Sequence, residues 1–307
     1  MNSIILTDYK SIGRILDMCV IFKSRINEKL AYIIVDNSAE EYDKKYLVQN
    51  GIAFDESKFD GKKVYSFTRN DIDYVLIDND GNKGYAIGNN VGAAYAREFY
   101  KSDYYIFSNN DLDFPDPIDL DLISKTFREH PDVGIIGPDI LYHGDSRQNP
   151  RKFMGIGSQM ILGDFNSRWF HCKFNDKLNC LDADAKEGKT DWVHGCFIIV
   201  SASKFHEIGG FDENTFLYAE EKIISRRMLA KGYTAYYLPS VKVIHNHSGV
   251  DNYRLRKVLH KSMKYYYRTY EKTNFFLLGL SDIAFYITEF GYYLYHDLLK
   301  VKILKKG

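Results

Sequence analysis

The feature that most constrains this sequence is a short apolar segment that runs directly into amides and carboxylates. Tyr104–Phe107 is apolar and aromatic, and the segment SNNDLDF follows it at Ser108–Phe114. A buried strand that ends in this way delivers oxygen ligands to the carboxyl edge of a sheet, where open α/β sheets bind their ligands. Such ligands suit hard cations such as Mg²⁺ or Mn²⁺. An Asx-rich turn that merely closes the strand is the alternative, because Asn and Asp favour turns for local reasons.

Other apolar segments also end in Asp and Asn, and helical patterns separate them. Ala31–Val35 precedes the sequence DNS, and Tyr74–Ile77 precedes DNDGN. Strands that alternate with helices predict an α/β fold with a mostly parallel sheet flanked by helices. The apolar pattern also predicts strands over residues 155–162 and 192–200, and a helical C-terminal extension from about residue 252.

Composition narrows the class of protein further. The 307 residues contain 41 Lys and Arg against 41 Asp and Glu, which argues against general nucleic-acid binding. The four cysteines have no C-x-x-C spacing, so we expect reduced, structural thiols in a cytosolic compartment. The N-terminus lacks the basic and apolar regions of a signal peptide. No apolar segment reaches the roughly 18 to 20 uncharged residues of a spanning helix. We therefore expect a cytoplasmic protein.

Three further motifs are ambiguous when each is taken alone. Asn82–Gly92 places glycines and amides where a strand gives way to a helix, which favours either anion binding or close helix packing. Glu220 and Glu221 open a helix, where the helix dipole alone favours them. His245 follows a strand, and a histidine there is either structural or a metal ligand.

Six segments in this order resemble glycosyltransferase family 2, especially bacterial members that build capsule, O-antigen and rhamnan-type polysaccharides. The matching segments are IIVDNS, NKGYAIGNN, SNNDLDF, GGFDE, FLYAEE and VIHNHS, and the resemblance runs from Ile4 to Ser248. It implies a GT-A fold with a catalytic domain at residues 1–250. The nucleotide-binding half would occupy about 1–115, the acceptor-binding half about 116–250, and a helical extension 251–307.

The resemblance also implies roles for individual residues. A divalent metal, Mn²⁺ or Mg²⁺, would bind Asp111 and His245, with Asp113 as a second candidate. Acceptor contacts would come from Trp192, His194 and Gly195, although core packing explains the tryptophan equally well. Nucleotide and donor contacts are expected from Thr7, Tyr9, Asp36, Asn82, Lys83, Gly84, Asn90, Asn110 and Arg151, although a solvated surface arginine also explains the last.

The implied reaction is direct displacement at the anomeric carbon with inversion. The donor would be a UDP- or dTDP-type sugar, and the acceptor a cell-surface polysaccharide or a lipid-linked glycan. The family usually has a Glu-Asp pair with Asp as the base; here the pair is Glu220-Glu221, which makes Glu221 the expected base and Glu220 its alternative. Ile223 stands where a second acid is usual. This departure keeps open a non-catalytic protein that binds sugar nucleotides or glycans; a nucleotidyltransferase is a further alternative.

The C-terminal segment combines aromatic, apolar and basic residues. Tyr253–Tyr270 carries many lysines and arginines, and Phe275–Leu299 is rich in Phe, Tyr and Leu. Such helices suit a membrane interface, here the inner face of the cell membrane. A cap over the catalytic domain or a homodimer interface is the alternative.

Overall fold

The apolar segments that precede the Asp and Asn clusters form neighbouring strands of one sheet in the computed structural model, which describes residues 1–142, 146–163, 165, 185–246 and 252–295. The strands are β1 (Ser3–Asp8), β2 (Ala31–Asp36), β3 (Asp55–Phe59), β4 (Lys62–Arg69), β5 (Ile72–Asp78), β6 (Tyr104–Ser108), β7 (Leu112–Asp113), β8 (Val133–Tyr142), β9 (Ser146–Arg147), β10 (Gly188–Thr190), β11 (Phe197–Ser201) and β12 (Thr234–His245). The helices are α1 (Ile12–Arg25), α2 (Tyr42–Gln49), α3 (Tyr85–Phe99), α4 (Leu120–Glu129), α5 (Gly157–Leu162), α6 (Ala202–Glu207), α7 (Glu220–Ala230), α8 (Tyr253–Thr269) and α9 (Phe275–Tyr293).

The centre of the sheet is parallel, and its strands end in register. The order across the main path is β10-β12-β8-β11-β6-β1-β2-β5-β4-β3. Asp36 at the end of β2 is level with Asp8 of β1 on one side and Asp78 of β5 on the other. The carboxyl ends of the parallel strands therefore place acidic residues at one edge, as the sequence predicts.

The sheet as a whole is mixed rather than mostly parallel. β11 runs antiparallel between β6 and β8. At the other side, β4 pairs antiparallel with both β3 and β5. The predicted fold class, a sheet flanked by helices, is confirmed; the proportion of parallel strands is lower than predicted.

Alternate residues of each central strand point to opposite faces of the sheet, where they pack into two apolar cores. Ile4 and Leu6 of β1 pack with residues of α1 and α4 in the first core. Ile5 of the same strand packs in the second core, with residues of α3, α6 and α7. Both faces of the parallel strands are thus covered, which is why these strands are continuously apolar.

The described residues divide into two compact units. One consists of those within residues 1–151 and 182–249, and it contains all the strands. The other consists of those within 152–181 and 250–307. In this second unit α9 packs against α5 and α8, and the Tyr267 hydroxyl donates a hydrogen bond to the Met154 carbonyl at 2.8 Å.

Two predicted strands need correction. Residues 157–162 are helical, and the buried Ile156 and Met160 are four positions apart, which is a helical period and not a strand period. The strand predicted over 192–200 begins only at Phe197, since the preceding residues make a single bridge, Arg151 to Trp192, and then turn.

Cys19 and Cys196 are buried free thiols, while Cys172 and Cys180 lie outside the described residues. Within the described ranges we find no helix with the length and apolar content needed to cross a membrane.

Candidate active site

A cavity of about 320 Å³ lies in the first unit, at the ends of β6, β11 and β12 and at the start of α7. Its walls carry a glutamate pair, Glu220 and Glu221, together with His245 and Gly195. Each of these residues comes from a motif that the sequence singled out. Residues far apart in the chain therefore meet around one cavity.

The pairing of β7 with β12 brings Asp111 to His245. Leu112 is paired with His245 in this short antiparallel ladder, and the Asn246 amide donates to the Asp111 carbonyl at 2.8 Å. The Asp111 Oδ1 and His245 Nε2 atoms are 3.4 Å apart, and both side chains are largely buried. The two residues predicted as metal ligands are thus neighbours.

The hydrogen bonding of His245 favours a cation beside it. Its Nδ1 lies 2.9 Å from Oε1 of Gln148, and an amide oxygen can only accept. Nδ1 therefore donates this hydrogen bond, and in the neutral ring the lone pair of Nε2 faces the carboxylate of Asp111. A cation between the nitrogen and the oxygen would turn this repulsion into attraction, and a hydrogen bond from the other ring N–H to an oxygen acceptor is typical of a metal-binding histidine. Asp111 and His245 therefore fit a divalent metal ion.

Asp113 is placed differently from Asp111. Its side chain is exposed and accepts a hydrogen bond from Nδ2 of Asn246 at 2.6 Å. Cys196 and His194 lie nearer the candidate metal site: the ligand atoms of His194, Cys196 and His245 are within 4.8 Å of one another. The structure brings Asp111 and His245 together and leaves Asp113 at the surface.

The two glutamates differ in burial and in charge. Glu221 lines the cavity, and its Oε2 lies 3.5 Å from the position that a Cβ on Gly195 would take. Glu220 is almost fully buried, and burial together with the charge of Glu221 raises its pKa to about 8. Burial also raises the pKa of Glu221, while a backbone hydrogen bond opposes that shift. At neutral pH Glu220 is mainly protonated, which leaves Glu221 as the better base.

The backbone before the glutamates is strained. Tyr218 and Ala219 both have positive φ angles, 74° and 71°. Left-handed conformations cost about 1–2 kcal/mol for a residue other than glycine. Two such residues directly before α7 are the kind of strain that active sites retain to aim side chains.

Asn90, a predicted nucleotide contact, bonds to a distant turn of the chain. Its amide accepts from the Phe211 nitrogen at 2.9 Å and donates to the Phe211 carbonyl at 3.0 Å and to Glu213 at 2.8 Å. The side chain thereby joins α3 to the turn that contains the GGFDE motif. It acts as a structural link, because these bonds occupy both ends of its amide.

Gly84 also packs against a distant motif. Its φ is +96°, and a Cβ at this position would lie 2.5 Å from the Phe216 carbonyl oxygen. The next residue, Tyr85, donates its amide to that same oxygen at 3.0 Å. The glycine therefore permits the approach of the segment that carries Glu220 and Glu221.

We expect Gly84→Ala to lower the free energy of unfolding by roughly 3 kcal/mol, because it combines left-handed strain with a backbone clash. Gly81 is a matched control: its φ is also +96°, but a Cβ at that position would have no atom within 4 Å. Gly81→Ala should lower the free energy of unfolding by only about 1 kcal/mol. Urea denaturation of both variants measures the difference, and equal losses would contradict the packing role.

The remaining predicted donor residues lie at the carboxyl edge of the sheet. Thr7 is half-buried at the end of β1, and Tyr9 is exposed beside it. Asn110 donates to the Ser11 hydroxyl at 2.7 Å. Asn82 and Lys83 are exposed, and Asn82 accepts from the Gly84 amide at 3.1 Å.

Asp36 is buried within a cluster of three carboxyl groups. It accepts hydrogen bonds from the amides of Ser38 at 2.6 Å and Asp43 at 3.1 Å. Asp8, Asp36 and Asp43 place carboxylate oxygens within 4.8 Å of one another, and none of them is more than 1% exposed. Burial and the neighbouring acids raise the pKa of Asp43 to about 10, so this carboxyl is neutral at pH 7.

We expect Asp43→Asn to stabilise the protein at about pH 8 by roughly 1–3 kcal/mol and to have little effect at about pH 4. The folded state raises the pKa of Asp43 from 3.8 to about 10, so it favours the protonated form. Protonated Asp43 therefore stabilises the folded state fully below the pKa of the unfolded chain, and this stabilisation is lost as the pH rises towards 10. Asparagine does not titrate, so the variant has no such loss. Denaturation at both pH values tests this, with the exposed Asp55→Asn as control; equal stability of wild type and Asp43→Asn at both would contradict it.

Trp192 and Arg151 contact each other, and Trp192 is buried while Arg151 is half-buried. Trp192 is only 4% exposed, and the cationic groups of Arg151 and Lys222 lie 5.1 and 4.8 Å from its ring centroid. The Nε of Arg151 donates to the Gln148 carbonyl at 2.6 Å. This arrangement favours the packing interpretation of Trp192. His194 does line the cavity, and its Nδ1 accepts from the Cys196 amide at 3.2 Å.

Comparison with characterised proteins identifies relatives of this chain. N-acetylglucosaminyl-diphospho-decaprenol L-rhamnosyltransferase of Mycobacterium tuberculosis is 29% identical over 161 residues, which are 50% of each protein. Rhamnosyltransferase WbbL of Escherichia coli K12 is 26% identical over 226 residues, 69% of this chain and 81% of that one. The chain is similar to characterised rhamnosyltransferases. No family model matches it. The alignment with the mycobacterial relative spans only half of that protein's length.

Solved structures confirm the GT-A fold of this chain. Mannosyltransferase PcManGT of Pyrobaculum calidifontis, in complex with GDP-Man and Mn²⁺, has a TM-score of 0.55 at 11% identity, covering 98% of this chain and 76% of that one. Residues 1–349 of Staphylococcus aureus TarS have a TM-score of 0.50 at 11% identity, with coverages of 98% and 75%.

Several residues that line the cavity were not predicted from the sequence, and three of them lie against predicted site residues. Gln148 orients His245, Cys196 lies beside the histidines, and the Tyr85 hydroxyl donates to the Gly195 carbonyl at 3.2 Å. Tyr85 lies inside the NKGYAIGNN motif, which is a signal that could have found it. Gln148 lies three positions before Arg151, a predicted donor contact, and Cys196 follows Gly195, a predicted acceptor contact, but only the fold brings both to His245.

Proposed function

We propose that this protein is a metal-dependent, inverting glycosyltransferase, which transfers a sugar from a nucleoside-diphosphate sugar to a glycan acceptor. The observation that carries the proposal is the position of Glu221 in the same cavity as His245, with Asp111 3.4 Å from that histidine. Glu221 is a carboxylate that can accept a proton, and Asp111 and His245 form a site for a cation. An inverting transferase needs both functions on the two sides of one sugar.

In this mechanism Glu221 accepts the proton of the attacking acceptor hydroxyl. Glu220 stays protonated beside it, because burial and the charge of Glu221 raise its pKa to about 8. Asp111 and His245 would hold the divalent metal, Mn²⁺ or Mg²⁺, which when bound supplies positive charge to the leaving diphosphate. Gln148 keeps the proton on Nδ1 of His245 and so leaves Nε2 available to the metal.

The donor that we propose is a UDP- or dTDP-type sugar, and the acceptor is a cell-surface polysaccharide, as in capsule or O-antigen, or a lipid-linked glycan. The names of the mycobacterial relative, a rhamnosyltransferase acting on a decaprenol-linked sugar, and of WbbL support this class of reaction. The same names weigh against a nucleotidyltransferase.

A thermal-shift screen of UDP-, dTDP- and GDP-sugars, each with and without Mn²⁺, tests the donor class. A ligand at a hundred times its dissociation constant stabilises the folded state by about 2.7 kcal/mol. We expect a UDP- or dTDP-sugar to raise the melting temperature more with Mn²⁺ than without it. A shift with GDP-sugars alone would change the donor class, and no shift with any nucleotide sugar would contradict the proposed function.

A further inference from the structure

The C-terminal unit exposes a row of apolar side chains along α9. This apolar stripe consists of Phe276, Leu280, Ile283, Ile287 and Phe290, at spacings of three and four residues that keep them on one side of the helix. Phe276, Ile287 and Phe290 are more than 60% exposed. Exposed apolar residues scattered singly are ordinary, but a contiguous stripe marks an interaction surface.

The opposite side of α9 is already satisfied within the unit. Phe285 stacks on His260 of α8, with ring centroids 4.3 Å apart. Asp282 pairs with His260 at 2.9 Å and with Lys264, while Glu289 pairs with Arg256. The packing of α9 on α8 therefore makes no use of the apolar stripe.

A row of cations runs along the neighbouring helix. This basic stripe on α8 consists of the exposed Arg254, Lys257, Lys261 and Arg268, again at helical spacing. These four side chains make no ion pair with any acid in the described part of the chain. The acids of residues 252–295, in contrast, are bound inside the unit: Glu271 accepts from the Tyr266 hydroxyl, and Asp282 and Glu289 form the pairs above.

The two stripes lie on the same side of the helix pair. On α8, Lys257 and Lys261 come one position after Arg256 and His260, which contact α9. On α9, Ile283 and Phe290 come one position after Asp282 and Glu289, which contact α8. One position is a rotation of about 100°. The helices are antiparallel, since Arg256 pairs with Glu289 while Lys264 pairs with Asp282. In two antiparallel helices that face each other, a step of one residue along each chain turns the side chains of both helices towards the same side of the pair. The two stripes therefore lie next to each other.

We propose that this face of α8 and α9 binds an anionic lipid surface, with the helix pair lying in the plane of the membrane. The apolar stripe would enter the boundary between headgroups and acyl chains, where aromatic side chains are favoured. Each lysine or arginine of the basic stripe would gain attraction to anionic headgroups. A second copy fits less well, because two such faces would bring their cations together.

Flotation of the full chain with lipid vesicles tests the proposal. We expect binding to vesicles of phosphatidylcholine with one quarter phosphatidylglycerol, much weaker binding to phosphatidylcholine alone, and a decrease with added salt. Phe276→Glu/Ile287→Glu should reduce the bound fraction at least about tenfold, because two apolar anchors are lost. Lys257→Glu/Lys261→Glu should abolish the preference for anionic vesicles.

Matched controls place the same charges elsewhere. Val48→Glu/Leu229→Glu changes two exposed apolar residues of the first unit, and Lys58→Glu/Lys62→Glu reverses two lysines of the β3–β4 hairpin. Both should bind vesicles like the wild type, and all four variants should keep the wild-type melting temperature. Failure of the wild type to bind anionic vesicles, or equal binding by the stripe variants, would overturn the proposal. So would a dimer, seen by light scattering, that Phe276→Glu/Ile287→Glu dissociates.

This proposal does not rest on the proposed transfer reaction. The stripe variants should retain the thermal shift with nucleotide sugars, since none of their residues lines the cavity. If the stripe variants lose vesicle binding but keep the thermal shift, the stripes act in lipid binding and not in nucleotide binding. If the wild type binds vesicles but no nucleotide sugar, only the transfer function is contradicted.

Discussion

Replacing Glu221 by Gln is expected to lower the rate of sugar transfer by about 10²–10⁴-fold, the usual contribution of a general base. The substitution removes the carboxylate that lies in the cavity but keeps its shape, and Gly195 leaves room for it. Nucleotide-sugar binding should be unchanged, because the donor contacts lie elsewhere. Initial rates of nucleoside diphosphate release, with the thermal shift as the binding readout, measure both quantities.

Glu220→Gln is the matched control for this substitution. Glu220 is mainly protonated at neutral pH, and glutamine resembles a protonated glutamate in shape and charge. We expect its rate to stay within about threefold of the wild type. Near-normal turnover by Glu221→Gln together with an inactive Glu220→Gln would move the base to Glu220.

The pH dependence follows from the same environment. Burial raises the pKa of Glu221 above that of an ordinary glutamate, so its basic form is lost at a higher pH than usual. The rate should therefore fall as the pH is lowered through this raised value, and Glu221→Gln should lose that acid limb.

Replacing Asp111 by Asn, or His245 by Ala, is expected to lower Mn²⁺-dependent transfer by roughly two to three orders of magnitude. Both variants remove one of two donor atoms that lie 3.4 Å apart. Calorimetric titration of Mn²⁺ into each protein provides a readout that does not depend on turnover, and we expect weaker binding by both variants.

Asp113→Asn is the matched control, since it changes the other aspartate of the SNNDLDF motif. Its side chain is exposed and bonded to Asn246. We expect Mn²⁺ affinity within about threefold of the wild type. Equal losses of affinity in Asp111→Asn and Asp113→Asn would contradict the assignment of the metal to Asp111 and His245.

Much of this fold could be predicted from local patterns. The continuous apolar runs at Ala31–Val35 and Tyr104–Phe107 predict strands covered on both faces, and the Asp and Asn residues after them predict the edge that carries ligands. Both predictions depend only on the strand itself and on parallel topology. Asp111 and His245 were expected to be metal ligands, and the structure places them side by side.

The rest depends on contacts between distant segments, which local patterns do not contain. The register of β7 against β12 places Asp111 beside His245 and leaves Asp113 at the surface, and this pairing of distant segments cannot be read from the SNNDLDF motif alone. Asn90 and Gly84 belong to a motif that suggests phosphate binding, yet both hold the segment before α7. Their partners, Phe211 and Phe216, lie more than a hundred residues away in the chain.

The departure at Ile223 has a structural explanation. Ile223 is fully buried, and its neighbour Ile224 packs in the second core with Met228. An acid at position 223 would therefore be buried, which is unfavourable without a partner. An apolar isoleucine therefore suits this buried position of α7.

Product analysis tests the central claim most directly. The full chain is incubated with Mn²⁺, a UDP- or dTDP-sugar and a lipid-linked glycan acceptor. We expect release of the nucleoside diphosphate in step with sugar transfer, and loss of both in Glu221→Gln. Release of pyrophosphate would instead indicate nucleotidyl transfer. Donor binding without release of any product, across the acceptors tested, would contradict the account and indicate a protein that only binds sugar nucleotides.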